Sequence, residues 1–167
     1  EQLNDVSIKI IAKAIAKKCT LENIDSLALG RDGRLSGPEI MAVLSAELQN
    51  LGINIINVGL VTSPLLYFAA KEIHSKSGVM ITGRHNPKNY NGFKVVINNA
   101  PISGLELLRL IDQEIPQIIE PGVESFEVSL SSRYIEKVCS QAVAHKKMKV
   151  VVDCGNGAAG EIAPSLM

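Results

Sequence analysis

The chain has no excess charge of either sign: 17 lysines and arginines face 17 aspartates and glutamates over 167 residues. Nor is there a Lys/Arg-dense stretch, so affinity for nucleic acid or an anionic membrane has no support. Apolar runs are short, and none approaches the length of a membrane span. Residues 1 to 20 carry charges throughout, which argues against a signal peptide. Cysteine is sparse. Cys19, Cys139 and Cys154 are odd in number, far apart and outside any CxxC spacing. They read as small core residues in a reducing compartment rather than as ligands or nucleophiles. There is no internal repeat and no low-complexity tract. The first residue is Glu1, already inside a helix-like pattern, and Met167 falls where another helix would open. The expectation is a piece of a longer protein.

What is present is an alternation of strand-like and helix-like segments. Val6, Ile10 or Ile11, Ala14 and Ile15 share one face at helical spacing over 3–17. "SLALG" (26–30) reads as a short buried strand, and "SGPEI" after it as a helix start, with Ser36 as N-cap, Pro38 in the first turn and Glu39 completing a capping box. "INIINV" (53–58) is a second strand, Ser63-Pro64 opens a helix to about Lys76, and "GVMIT" (78–82) is a third strand. "FKVVI" (93–97) follows an Asn-Gly turn and is expected to pair antiparallel with its neighbour. Ser103 and Glu106 form a second capping box for a helix ending near Pro116. Ser132 would cap "RYIEKVCSQAVAH", and "KVVVD" (149–153) reads as one more buried strand. Strands alternating with helices predict a layered αβα domain with a mixed, mostly parallel sheet. Ligands of such sheets sit at the carboxyl ends of the strands, where Arg31-Asp32-Gly33-Arg34, Thr62-Ser63 and residues 82–88 all fall.

Three of the segments bear on chemistry. "GRDGRLSG" (30–37) has the look of a phosphate loop, but Asp32 would oppose an anion, so pairing of Asp32 with an arginine and a turn at Gly33 is the favoured reading. "TGRHNP" (82–87) gathers Arg84, His85 and Asn86 at a strand end, with Lys94 ten residues beyond Arg84. A loop of this kind holds an anion through cationic side chains and backbone N–H groups, and histidine exchanges protons near neutral pH. "VVVDCGNGAAG" (150–160) places Gly155, Gly157 and Gly160 in the dinucleotide-binding spacing after a strand-like run. The acid expected about twenty residues on would lie past Met167, and Asp153 would face a pyrophosphate.

"GRDGRLSGPEI", "VGLVTSP", "GVMITGRHNPKNYNGFKV" and "VVVDCGNGAAG" occur in the order found in bacterial phosphomannomutase/phosphoglucomutase, of the α-D-phosphohexomutase superfamily. The chain resembles that family over nearly its whole length, and its "TG" form is more similar to this branch than to the phosphoglucosamine mutases. The resemblance implies a four-domain enzyme. Residues 1–146 would be its first domain, carrying the phosphoserine loop, and residues 147–167 the first strand and turn of a second, similar domain. On that view the glycine triplet belongs to a turn and not to a dinucleotide site. If residues 149–167 are ordered, coverage by a partner copy, and so self-association, is the expectation.

The family's phosphoserine passes its phosphoryl group to a hexose 1- or 6-phosphate and takes back the other one from the bisphosphate. Mg²⁺ bridges the phosphoserine and three aspartates of the second domain, and a hexose bisphosphate acts as activator. By resemblance, His85 and Lys94 handle protons and face phosphate, while Thr82, Gly83, Asn86 and Arg31 shape the loop around the substrate. Arg84, however, stands at the serine position. A guanidinium has no hydroxyl and cannot carry a phosphoryl group. Where the family has a phosphoserine of about −2, this chain has a positive charge, which would repel the metal. The family's early Tyr and Arg motif and its metal aspartates are absent from this chain as well. A fragment inactive as written, with no Mg²⁺ bound, is the expectation, and a cytoplasmic location follows from the family. Three readings stay open. Arg84 is a substitution in an active mutase, or a feature of a non-catalytic sugar-phosphate-binding relative, or another hydroxyl takes over.

Overall fold

The structure, a computed structural model, describes residues 3–114, 120–126, 130–143, 146 and 148–167, with the backbone alone at 125 and 126. Helix α1 (Asp5–Leu21) leads into strand β1 (Ser26–Arg31), α2 (Gly37–Asn50), β2 (Asn54–Leu60), α3 (Ser63–Glu72) and β3 (Gly78–Ile81). Then follow β4 (Phe93–Ile97), β5 (Ala100–Ile102), α4 (Gly104–Leu110), β6 (Glu124–Phe126) and α5 (Leu130–Gln141). A 3₁₀ turn over Ala158–Glu161 and the short α6 (Ala163–Leu166) close the chain.

Among the described residues six strands form one sheet, in the order β5-β4-β3-β1-β2-β6. β1 runs parallel to both β2 and β3, and β2 parallel to β6, whereas β4 is antiparallel to β3 and to β5. The mixed, mostly parallel layered sheet read from the sequence is the observed fold. From β1 the chain steps outward to β2, then returns across β1 to lay down β3. Right-handed crossovers in opposite directions put their helices on opposite faces. Accordingly Leu27 and Leu29 of β1 pack with α1 and α2, through Ile8, Ile15, Leu44 and Leu48. Ala28, on the other face, packs with Met80 of β3, Leu66 and Ala69 of α3, and Leu130 of α5. Each fully buried Leu or Ile in these two layers contributes about 1.5–3 kcal/mol by leaving water. The reversal of strand order makes a crevice beyond the carboxyl ends of β1 and β3.

Several local expectations are corrected. Ala14 and Ile15 of α1 are buried as expected, together with Ile8, Ala12, Ala16, Lys17 and Cys19, while Val6 is 67% and Ile10 40% exposed. Ser36 makes no capping bond to α2. Its hydroxyl instead accepts from the Asn91 amide at 2.7 Å, so a tertiary contact takes the group that would have capped the helix. α3 stops at Glu72, before Lys76. Ser103 does cap α4, accepting from the Glu106 N–H at 3.2 Å, but the Glu106 carboxylate turns to Lys18 at 3.4 Å. α4 ends at Leu110, where its last carbonyls meet Lys17; residues 115–119, before Pro116 and just beyond it, lie outside the description. Ser132 lies inside α5, which starts at Leu130. Residues 149–153 form no strand, and Val151 is 98% exposed, because among the described residues no other strand lies alongside to pair with them. The tail is nonetheless anchored at Ile162, which is 7% exposed and joins the α3–α5 layer. Among the described residues no helix is long and apolar enough to cross a membrane.

One sequence-silent feature braces the first layer. Lys17 is only 6% exposed, and its Nζ donates to the carbonyl oxygens of Leu110 and Ile111, each at 2.6 Å. A cation at a helix C-terminus satisfies the orphan carbonyls and opposes the negative end of the helix dipole. Lys17 thereby ties α4 to α1.

Candidate functional site

The loop after β1 is organised by Asp32. Its Oδ1 accepts from the Arg34 N–H at 3.1 Å, and its Oδ2 accepts from the Thr82 hydroxyl at 2.8 Å and the Gly83 N–H at 3.3 Å. The Arg34 Nε lies 3.6 Å from the same oxygen. The favoured reading of "GRDGR", a paired aspartate at a turn, is what forms. Arg31 donates to the Asp32 carbonyl at 3.1 Å and does not line the cleft described below.

Arg34 then reaches across to the loop after β3. Its guanidinium donates to the carbonyl oxygens of Asn86 and Tyr90, each at 2.9 Å, to that of Pro87 at 2.5 Å, and to that of Gly83. The loop closes on itself through Asn86 N–H to Gly83 oxygen (2.8 Å) and Tyr90 N–H to Pro87 oxygen (3.0 Å), and Thr82 N–H donates to the Gly92 oxygen at 3.0 Å. Only glycine fits at position 83. A Cβ there would lie 2.3 Å from the Tyr90 oxygen and 2.6 Å from the Arg34 guanidinium. The arginine that holds this loop was not singled out from the sequence. Its only signal was a second arginine after the Asp-Gly turn.

Around these loops lies an open cleft of about 1380 Å³, lined by Arg34 and Ser36 from the first loop, Thr62 and Ser63 from the second, and Thr82, Arg84, His85 and Asn86 from the third. The three polar clusters expected at one sheet edge therefore meet in one place. Lys88, from the 82–88 stretch, lines it too, as do Asn89 and Tyr134, which were not anticipated. Arg84 and His85 are exposed, His85 with a left-handed φ of +74°. Lys94 is exposed on β4 directly opposite Met80. Opposed residues share a sheet face, so Lys94 lies on the cleft side, one strand beyond the residues lining it.

The far wall is the segment Val152–Ala159 with Ile162. Gly155 and Gly157 line that wall, and among the described residues no strand precedes them, whereas a dinucleotide fold requires one. Among the described residues, no three histidine, cysteine, aspartate or glutamate side chains converge as a metal site. Of the thiols, Cys19 is a core residue, and burial pushes it up to about 12. Cys139 is exposed and Cys154 half-buried, which corrects the expectation that all three are core residues.

A layered α/β domain of this kind belongs to the class whose ligand crevice lies at the strand-order reversal, beyond the carboxyl ends of the strands. Residues 1–122 match the family described as phosphoglucomutase/phosphomannomutase, alpha/beta/alpha domain I, and the chain belongs to that family. It is 40% identical to a phosphomannomutase/phosphoglucomutase of Pseudomonas syringae pv. tomato, covering 100% of this chain and 36% of that relative. It is likewise 40% identical to a phosphoglucomutase of Neisseria meningitidis serogroup B, covering 98% of this chain and 36% of the relative. A crystal structure of a phosphoglucomutase/phosphomannomutase family protein from Burkholderia thailandensis superposes with a TM-score of 0.87 at 31% identity, covering 98% of this chain and 38% of that one. The chain thus spans about a third of the length of the relatives it matches.

Proposed function

We propose that this chain is the phosphate-facing first domain of a phosphohexomutase that interconverts hexose 1- and 6-phosphates of glucose or mannose, and that Arg84 prevents the chain as it stands from carrying the phosphoryl group. The observation that carries this reading is the loop Thr82-Gly83-Arg84-His85-Asn86-Pro87, held by Arg34 at the mouth of the cleft with the Arg84 side chain exposed beside it. Phosphoryl transfer asks the protein mainly for positioning and charge neutralisation. His85, exposed in the cleft, is placed to exchange a proton with a sugar hydroxyl. Lys94 adds positive charge on the same sheet face. Residues 147–167 would open a second domain, and a cytoplasmic enzyme using a bisphosphate activator is the whole-protein reading.

Mg²⁺ would neutralise the transferring phosphoryl group in such an enzyme. The residues of this chain do not fit that ion, since Arg84 is a cation at the family's ligand position and the described residues converge on no cluster of ligands. A second reading, a non-catalytic sugar-phosphate binder, is favoured by Arg84 and Lys88. Both line the cleft, and neither has an ion-pair partner among the described residues.

The test uses the complete reading frame that contains this chain. Arg84→Ser is expected to gain a phosphoryl group by intact mass and to turn over glucose 1-phosphate or mannose 1-phosphate in a coupled assay. The unsubstituted protein is expected to do neither. Equal turnover by both would sink the serine-position argument, and an unphosphorylated, inactive Arg84→Ser protein would transfer support to the binding reading.

A further inference from the structure

Arg34, on the loop after β1, lines the cleft yet has no donor left to offer a ligand. An arginine side chain carries five N–H donors. Nη1 of Arg34 donates to the carbonyl oxygens of Pro87 and Tyr90, and Nη2 to those of Gly83 and Asn86. The fifth N–H, on Nε, lies beside Asp32, with 3.6 Å between Nε and Oδ2. An incoming anion would have to displace backbone acceptors from a guanidinium that already has a carboxylate next to it. Lining the cleft therefore does not make Arg34 a ligand.

The contacts of Arg34 and Asp32 converge on residue 84 without using its side chain. Gly83 comes just before it and Asn86 two positions after, so Nη2 holds the backbone on both sides. The N–H of residue 84 donates to the Thr82 hydroxyl oxygen at 3.3 Å. That hydroxyl donates in turn to Oδ2 of Asp32, the same oxygen that lies beside Nε of Arg34. Both charged side chains are partly buried, where water screens the pair less than it would at the surface. Only the backbone of residue 84 takes part in this chain of bonds. Whichever side chain stands there is presented to the cleft from the same place.

We propose that Arg34 is a positioning residue for phosphoryl transfer, fixing the backbone of residue 84 within reach of the substrate while touching neither the phosphate nor the sugar. The proposal rests on the phosphohexomutase reading, in which position 84 carries the phosphoryl group. Such a reaction depends heavily on positioning, and a displacement of about 1 Å costs about 100-fold in rate. Lysine cannot take over this role. Its ammonium is a point charge with three donors on a flexible stem, whereas the planar guanidinium fork reaches four oxygens at once.

The experiment places Arg34→Lys and Arg34→Met in the complete reading frame carrying Arg84→Ser, and measures steady-state turnover of glucose 1-phosphate. Both are expected to lower kcat about 100-fold and to leave KM within about threefold, as loss of orientation without loss of a substrate contact does. A raised KM at unchanged kcat would make Arg34 a substrate ligand and overturn the proposal. Full turnover in Arg34→Lys would overturn it too, since charge alone would then suffice. Amide exchange on the 167-residue chain with the same Arg34 substitutions is the second measurement. Faster exchange at Asn86 and Tyr90, with β1 and β3 as protected as before, is expected. Unchanged exchange at those two residues, or lost protection across the whole sheet, would overturn the positioning role. If Arg84→Ser alone is unphosphorylated and inactive, the mutase reading falls, while exchange at Asn86 and Tyr90 still decides whether Arg34 sets residue 84 in place.

Discussion

Thr82 donates its hydroxyl to Oδ2 of Asp32 at 2.8 Å, joining the carboxyl end of β3 to that of β1 through one carboxylate. Asp32→Ala would leave that hydroxyl, the Gly83 N–H and the Arg34 N–H without their acceptor. The expected cost is about 2–4 kcal/mol, from several donors losing a charged partner in a partly buried place. Urea denaturation measures it, and a loss under about 0.5 kcal/mol would show that the carboxylate does not organise the site.

Gly83→Ala forces a Cβ to 2.3 Å from the backbone oxygen of Tyr90. Backbone cannot give way as a flexible side chain does, so the loop has to leave Arg34. A destabilisation of about 1–3 kcal/mol is expected, with faster amide exchange at Asn86 and Tyr90, whose N–H groups close the loop. Unchanged exchange at both residues would contradict the steric argument.

Lys17→Met keeps most of the aliphatic stem but removes the donor to Leu110 and Ile111. A loss of about 1–3 kcal/mol is expected, because two carbonyls are left beside a buried methyl group. Protection of the α4 amides is expected to fall more than that of β1. A uniform fall across the sheet would mean that Lys17 acts on global packing instead.

Cys19 stays a neutral thiol in the fold because burial raises it from 9.0 to about 12. Between those values the unfolded chain releases a proton that the folded chain keeps. The contribution is therefore complete below pH 9.0 and is lost as pH rises toward 12, at about 1.4 kcal/mol per pH unit. A thiol reagent at pH 8 is expected to label exposed Cys139 promptly and Cys19 only on unfolding. Equal labelling rates in the native protein would refute the buried-thiol assignment.

The residues that carry the fold were legible where periodicity and turn chemistry agreed. β1 and β3 are runs of buried residues, β2 is marked by its β-branched residues with Ile55 fully buried, and the Asn91-Gly92 turn marked the antiparallel β4. β5 and β6, of three residues each, were missed, since three residues offer no period to read. "KVVVD" was misread for the opposite reason. β-branched residues favour a strand, but a strand exists only when another lies beside it.

By itself the sequence determined the class of fold, the order of its segments and the chemical character of the 82–94 loop, because these depend on local pattern and on which residue types are present. Arg84 at the serine position is likewise a fact of sequence, and the chemistry it forbids follows from the guanidinium alone. Tertiary structure alone decided which arginine holds the loop. Arg31 and Arg34 are equivalent as letters, yet Arg34 reaches carbonyls 49 to 56 positions away because β1 and β3 lie side by side. The same holds for Lys17, whose burial is tolerated only because α4 ends with two carbonyls at its ammonium group. Long-range partners are set by how strands and helices stack, and no local pattern encodes them.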